Sequence, residues 1–161
     1  MQLLTFSIAG EPYAIEARLV TEVLPLVPAR PIPQVPDYLS GIFTYRGDLV
    51  PLVDLSRRLG AGPPAPRLST RVIVVEFRPA GRGDSPPVRL GLVAENVIGI
   101  RGTEEAEASL PPLQLPDAAY LGGLMRLGGG TVQVIDVTRL LPADLLAGLF
   151  PAAATTPEES A

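Results

Sequence analysis

Apolar and polar residues alternate with a period of two near the start of the chain, in the sequence LTFSI at residues 4–8. Such alternation is typical of a half-buried strand. A turn at residues 10–12 leads into the apolar sequence YAI, which predicts a hairpin. Further strands are predicted by the β-branched sequence RVIVVEF at residues 71–77 and by residues 90–100. The pattern therefore predicts a mostly β fold.

Helical spacing of apolar residues is confined to short stretches. Residues 18–24 carry it over about two turns. The sequence LPADLLAGLF predicts a C-terminal helix that starts near Pro142. The small, acidic residues 151–161 predict a disordered tail.

The most informative pattern is GIFTYRGDLVPLVDL at residues 41–55. Two apolar runs flank the tight turn Arg46-Gly47-Asp48, which predicts a β-hairpin with one guanidinium at its tip. Asp54 follows the second run, and its carboxylate is expected to cap the turn that comes next.

The same hairpin recurs in the second half of the chain. Residues 40–59 align without gaps with residues 122–141, so that Asp54 matches Asp136. Residues 13–23 likewise resemble residues 90–100. Two copies of one strand-rich unit are therefore expected, packed as a pair of barrels.

The two copies differ at the hairpin tip, where the first has Arg46-Gly47-Asp48 and the second has Gly128-Gly129-Gly130. An arginine present in only one copy is a poor candidate for maintaining a shared fold, and recognition of a partner is the better interpretation. A solvated turn arginine is the alternative.

Composition excludes several function classes. The 161 residues include no cysteine and no histidine, and all 13 basic residues are arginines, so thiol, histidine and lysine chemistry are excluded. Asp54 and Asp136 are duplicated, but a bulky apolar residue follows each, unlike the loops of aspartic proteases. We therefore expect no enzyme activity, no metal and no cofactor.

The net charge of −4 and the scattered arginines argue against a nucleic-acid partner. No apolar run is long enough to cross a bilayer, and the first residues do not form a secretory signal. We therefore expect a cytoplasmic protein that does not insert directly into a membrane.

Residues 3–150 resemble the CheW-like adaptor domains of bacterial chemosensory arrays. The resemblance rests on the opening hairpin FSIAGEPYAI, on VTEV at residues 20–23, on the proline stretch ending at Pro36, and above all on G-I-x-x-Y-R-G-x-x-V-P-x-x-D-L at residues 41–55. The family usually has Asn where this chain has Thr44.

The resemblance implies two five-stranded, SH3-like β-barrels packed side by side, with short helices and a C-terminal helix. They would form one adaptor domain over residues 1–150, with a soft boundary between the barrels near residues 60–70. It also implies a non-catalytic adaptor that links the regulatory domain of a CheA-type histidine kinase to the cytoplasmic tip of a methyl-accepting chemoreceptor. The protein would be recruited to receptor arrays at the inner membrane.

Two short phrases, at residues 22–27 and 67–71, are similar to adaptors of Wsp-type surface-sensing systems. The alternative function is a kinase-independent scaffold or a ligand-binding module of the same double-barrel fold, because fold alone does not determine function.

The resemblance also assigns roles to individual residues. Val20 would offer an apolar contact to a helical receptor tip. Arg46 could hold a carboxylate with two donors, and we expect Glu22 to orient it. The partner-binding residues implied by the resemblance are Val20, Glu22, Arg46 and Gly47, and the hairpin scaffold residues are Gly41, Pro51 and Asp54.

Overall fold

The structure is a computed structural model, and it describes residues 2–64, 68–79, 84–102, 107–110, 115–127 and 130–151. Three sequence predictions fall on residues outside this set: most of the tail at 151–161, the turn glycines 128 and 129, and residue 67 of the surface-sensing phrase.

The described part of the chain is mostly β, as predicted. Two α-helices, α1 (Leu55–Arg58) and α2 (Ala143–Leu149), and three short 3₁₀ turns accompany the strands. The ten strands are β1 (Gln2–Ile8), β2 (Glu11–Glu16), β3 (Val20–Pro25), β4 (Leu39–Tyr45), β5 (Asp48–Asp54), β6 (Thr70–Phe77), β7 (Val88–Gly102), β8 (Glu107–Leu110), β9 (Leu121–Leu127) and β10 (Gly130–Ile135).

The prediction of a helix at residues 18–24 is wrong. A 3₁₀ turn covers Ala17–Leu19, and the chain then enters strand β3. Exposure along β3 alternates from residue to residue, which is the period of a strand, and β3 pairs with the buried strand β6. Pairing with a distant strand has overridden a weak local spacing. The predicted C-terminal helix is confirmed by α2, which begins directly after Pro142.

Strand β7 belongs to two barrels. Its first half pairs antiparallel with β6 on one side and parallel with β5 on the other. Its second half pairs antiparallel with β1. The first barrel therefore contains β3, β4, β5, β6 and the first half of β7, and the second contains β1, β2, β8, β9, β10 and the second half of β7. The division of the chain near residues 60–70 stays a prediction, and the strands on either side of that segment, β5 and β6, both pair with β7.

The sequence repeat extends to individual hydrogen bonds. The amide of Asp54 donates to the carbonyl oxygen of Tyr38, and the amide of Asp136 donates to the carbonyl oxygen of Tyr120. The N···O distance is 2.7 Å in both hydrogen bonds. Both aspartates cap the turn that follows: Asp54 accepts from the amide of Ser56, and Asp136 accepts from that of Thr138. The duplicated aspartates are therefore caps, as their position after a strand predicts.

The buried residues that the structure describes form three hydrophobic clusters. The largest takes side chains from both barrels, including Phe6 and Ile15 from the second and Ile73 and Leu90 from the first. A smaller cluster around Phe43 lies in the first barrel, and another around Leu3 lies in the second. The two barrels thus share one core and each has its own.

Arg58 joins the two repeats at this shared core. Its guanidinium carbon lies 4.8 Å from the ring centroid of Tyr38 and 4.5 Å from that of Tyr120, which are matched positions in the repeat. Its Nε donates to the carbonyl oxygen of Leu140 over 2.7 Å, and Leu140 is the residue that aligns with Arg58. One arginine therefore contacts both copies of the repeated unit.

Gly41 permits the closure of the first barrel. The segment after β3 returns to β4, where Arg30 and Ile42 exchange two backbone hydrogen bonds. A Cβ atom on Gly41 would lie 2.1 Å from the carbonyl oxygen of Arg30, and the φ of Gly41 is +144°. A side chain here would collide with the backbone that closes the barrel.

Pro51 is compatible with its strand for a related reason. It lies opposite Ile42, whose backbone groups both point away from β5 and toward Arg30. The Ile42–Pro51 pair is therefore not hydrogen-bonded, and the missing N–H of Pro51 removes no bond between β4 and β5.

We predict that Gly41→Ala destabilises the protein far more than Gly99→Ala. Gly99 is a matched control, since its φ is +148° and, apart from Gly99 and its two neighbours in the chain, no heavy atom lies within 4 Å of the point that a Cβ atom would occupy. Backbone strain should cost about 1–2 kcal/mol in both variants, and the collision at Gly41 should add roughly 2 kcal/mol more. Urea unfolding measures both. Equal losses would show that the close approach to Arg30 does not matter.

We also predict a pH-dependent effect of Asp54→Asn. Burial raises the pKa of the Asp54 carboxyl, although amide hydrogen bonds from Arg57 and Ser56 and the charge of Arg57 oppose this. The ordinary pKa of this carboxyl is about 3.8, and the pKa in the folded protein is higher. The folded state therefore binds the proton more tightly than the unfolded state, and the protein loses stability as the pH rises from the ordinary pKa through the pKa of the folded state. The asparagine side chain keeps a capping oxygen without the charge, so the stability of the Asp54→Asn variant relative to wild type should rise over this window. Unfolding series between pH 3 and 8 measure it, and a flat or falling difference would contradict the assignment.

Candidate functional site

The β4–β5 hairpin presents Arg46 in a strained turn. Tyr45 pairs with Asp48, so Arg46 and Gly47 are the two central residues of the turn. Their φ values are +50° and +84°, as a type I′ turn requires. Glycine adopts this conformation without cost, whereas a long side chain such as arginine is unfavourable there. The predicted hairpin is confirmed, and a residue poorly suited to the turn occupies its tip.

Arg46 is held by a carboxylate from another strand. Its Nη2 donates to Glu22 Oε1 on β3 over 2.9 Å. The side chains of Arg46 and Glu22 are 66% and 38% exposed, so solvent screens the pair and it contributes no more than about 1 kcal/mol to folding. The expected contact between these two residues is present, and their role in binding a partner stays a prediction.

Tyr45 shares the same carboxylate oxygen. Its hydroxyl donates to Glu22 Oε1 over 2.6 Å, and its side chain is almost fully buried in the core of the first barrel. The hydrogen bond to Glu22, together with burial, raises the pKa of the Tyr45 phenol above its ordinary value of 10.0. A phenol with its ordinary pKa is already protonated at neutral pH, and Tyr45 therefore acts as a donor there. The Arg46 guanidinium also lies 5.2 Å from the centre of the Tyr45 ring.

A second arginine lies near the same ring. The Arg89 guanidinium is 5.7 Å from the Tyr45 ring centroid. It is fixed on β7 by two carboxylates, since Nε donates to Glu76 over 2.9 Å and Nη1 donates to Asp48 over 3.3 Å. The hairpin tip therefore carries a continuous network of charged and polar side chains, which we call the tip network: Glu22, Tyr45, Arg46, Asp48, Glu76 and Arg89.

The ends of the two barrels differ in chemistry. At the end of the first, a cavity of about 400 Å³ is lined by Asp48, Glu76 and Arg89, and beside them Leu49 is 74% exposed. At the matching end of the second barrel, a cavity of about 200 Å³ is lined mainly by uncharged residues, among them Gly130 and Thr131, which align with Asp48 and Leu49. The repeated scaffold is therefore charged at one end and largely neutral at the other.

The structure divides the predicted site residues into three groups. Glu22, Arg46 and Gly47 lie together at the hairpin tip. Val20 begins β3 and packs, half-buried, against the shared core. Gly41, Pro51 and Asp54 have the backbone and capping contacts described above.

Sequence reasoning missed Tyr45 as a donor, and it missed Glu76 and Arg89 entirely. Glu76 and Arg89 face each other in the register of β6 and β7. Opposite charges on two neighbouring strands were the available signal, but the signal has meaning only once the register of the pair is known.

Within the described ranges, no three acidic side chains are grouped so that they could hold a metal ion. No helix in the same ranges has both the length and the apolar character that crossing a membrane requires.

Comparisons with known proteins agree with this architecture. The CheW-like domain family matches residues 2–144. The chain is 28% identical over 141 residues to the chemotaxis protein CheW of Treponema pallidum, which covers 86% of this chain and 81% of that protein. It is 27% identical over 139 residues to protein FrzA of Myxococcus xanthus, covering 84% and 82%.

A solved structure is also similar. The crystal structure of the scaffolding protein TtCheW from Thermoanaerobacter tengcongensis superposes with a TM-score of 0.71 at 26% identity, over 89% of this chain and 88% of that one. CheW has the double SH3-like barrel fold, so the predicted fold class is confirmed.

The strained turn leads to a stability prediction. Arg46→Asn and Arg46→Ala both remove the pair with Glu22, but Asn tolerates positive φ better than Ala does. The Asn variant should therefore be more stable than the Ala variant by roughly 0.5–1 kcal/mol, and within about 1 kcal/mol of wild type. Urea unfolding of the three proteins measures this. An Ala variant as stable as the Asn variant would contradict the assignment of strain to this residue.

Proposed function

Because the chain belongs to the CheW-like family, we propose that it is an adaptor that couples a methyl-accepting chemoreceptor to a CheA-type histidine kinase. Members of this family are non-catalytic scaffold proteins of chemotaxis signalling. The proposed partners are the cytoplasmic tip of the receptor and the regulatory domain of the kinase. The protein would act in the cytoplasm, recruited to receptor arrays at the inner membrane.

Arg46 is the residue on which this proposal depends most. One nitrogen of the Arg46 guanidinium, Nη2, donates to Glu22. The other guanidinium donors of Arg46 have no hydrogen-bond partner among the residues that the structure describes. A guanidinium with unused donors at an exposed tip can bind a carboxylate of a partner. The second repeat has glycine at the matching position, so the first hairpin is the one suited to recognition.

Strand β3 would supply the apolar part of the receptor contact. Val23 follows Glu22 and is 38% exposed, while Val20 is half-buried at the start of the same strand. Apolar side chains beside an ion pair can accept the apolar face of a helical receptor tip, and the charges would fix its orientation. The similarity of residues 22–27 and 67–71 to surface-sensing adaptors stays a prediction about the pathway.

We predict that Arg46→Glu strongly reduces receptor-dependent activation of the kinase without unfolding the adaptor. Reversing the charge at Arg46 repels the partner carboxylate and also Glu22, so receptor-dependent autophosphorylation should fall at least about tenfold. The measurement reconstitutes the chain with the receptor and the CheA-type kinase of its own genome, with a no-adaptor reaction as baseline. Arg126→Glu is the matched control, because Arg126 is an exposed arginine on β9 of the second hairpin.

Two outcomes would contradict the proposal in different ways. If Arg46→Glu activates the kinase as wild type does, the first hairpin is not the recognition surface. If wild type neither binds the kinase nor changes its activity, the chain is a kinase-independent scaffold or a ligand-binding module of the same fold.

A further inference from the structure

We infer that Tyr45 is the positioning residue for Arg46: its hydroxyl fixes the Glu22 carboxylate, and Glu22 in turn holds the Arg46 guanidinium with its unused donors facing a partner carboxylate. This inference rests on the proposed function. It adds a residue that acts through Arg46 and does not itself contact the partner.

Arg46 needs such support because its own anchorage is slight. The side chain is 66% exposed, and the hydrogen bond to Glu22 Oε1 is its only one among the described residues. A long arginine side chain samples many rotamers when it is free. Restricting it to one rotamer on binding costs conformational entropy, which weakens the complex. Fixing the guanidinium before the partner arrives reduces that loss.

Glu22 cannot provide the support alone. Its side chain is 38% exposed, and it lies at an irregularity in the pairing of β3 with β6, between Val20 and Glu22. Two donors converge on the same oxygen, one from Arg46 and one from Tyr45. Of these two, only Tyr45 is buried, so the phenol hydroxyl is the fixed point of the arrangement.

Tyr45 is itself held firmly. Its ring belongs to the core cluster of the first barrel, and the Arg89 guanidinium lies 5.7 Å from its centroid. Arg89 is bound in turn by Glu76 and by Asp48, the residue that follows the turn. Contacts therefore continue from the barrel core through Tyr45 and Glu22 to Arg46.

In the second repeat, the matching hairpin forms without a hydroxyl at this position. Leu127 aligns with Tyr45 and is equally buried, although it has no polar group. Gly99 aligns with Glu22, and Gly128 aligns with Arg46. Tyr45, Glu22 and Arg46 are thus present together in the first repeat, and all three are replaced in the second. This is expected of residues that share one function.

The experiment is a double-mutant cycle on binding. The probe is the cytoplasmic signalling fragment of a chemoreceptor from the same genome, titrated by calorimetry against wild type, Tyr45→Phe, Arg46→Asn and the double variant. Tyr45→Phe should weaken binding roughly 5- to 10-fold in the wild-type background and less than about twofold when Arg46 is already replaced by Asn. Tyr13→Phe, a half-buried tyrosine on β2, is the control and should bind as wild type does.

Two binding results would overturn the inference. One is unchanged binding of Tyr45→Phe, and the other is an equal loss in both backgrounds, which would indicate a purely structural role. NMR of the Arg46 Nε–H group in the protein alone gives a second readout that needs no partner. Tyr45→Phe should increase the motion of this group, and unchanged motion would also overturn the inference. If wild type fails to bind the fragment, the proposed function fails, and the NMR result still decides the positioning role.

Discussion

The sharing of strand β7 between two barrels is the constraint on which the rest of the structure depends. One half of the strand completes the first barrel, and the other half completes the second. The barrels cannot separate without breaking β7 from its neighbours and opening the core that both of them fill. Arg58, between Tyr38 and Tyr120, adds a contact common to both repeats at the same junction. The surface of one barrel is therefore fixed relative to the other.

On this fixed scaffold, duplication has kept the backbone and changed the chemistry. The caps at Asp54 and Asp136 are alike in their hydrogen bonds. The hairpin tips are not alike, since one carries the tip network and the other carries glycine. Features common to both copies are best explained by folding. We propose that the strained arginine of the first copy serves recognition, because it makes the turn less favourable.

Much of this could be predicted from the sequence, because the informative signals are local or repeated. The hairpin at residues 41–55, the aspartate caps and the paired barrels all follow from turn residues, alternation and self-similarity. The strand at residues 20–25 could not be predicted, because its partner β6 lies some fifty residues away in the chain. The Tyr45–Glu22 hydrogen bond and the Glu76–Arg89 pair depend on register and barrel closure, and one sequence does not reveal those.

The central claim is that the first hairpin, and not its copy, meets the partner. Mapping backbone amide shifts of the labelled protein during titration with a receptor signalling fragment tests this most directly. The account predicts that the largest changes fall on Glu22 and on residues 45–48, with residues 124–133 nearly unaffected. Changes centred on residues 124–133, with the first hairpin unperturbed, would contradict it.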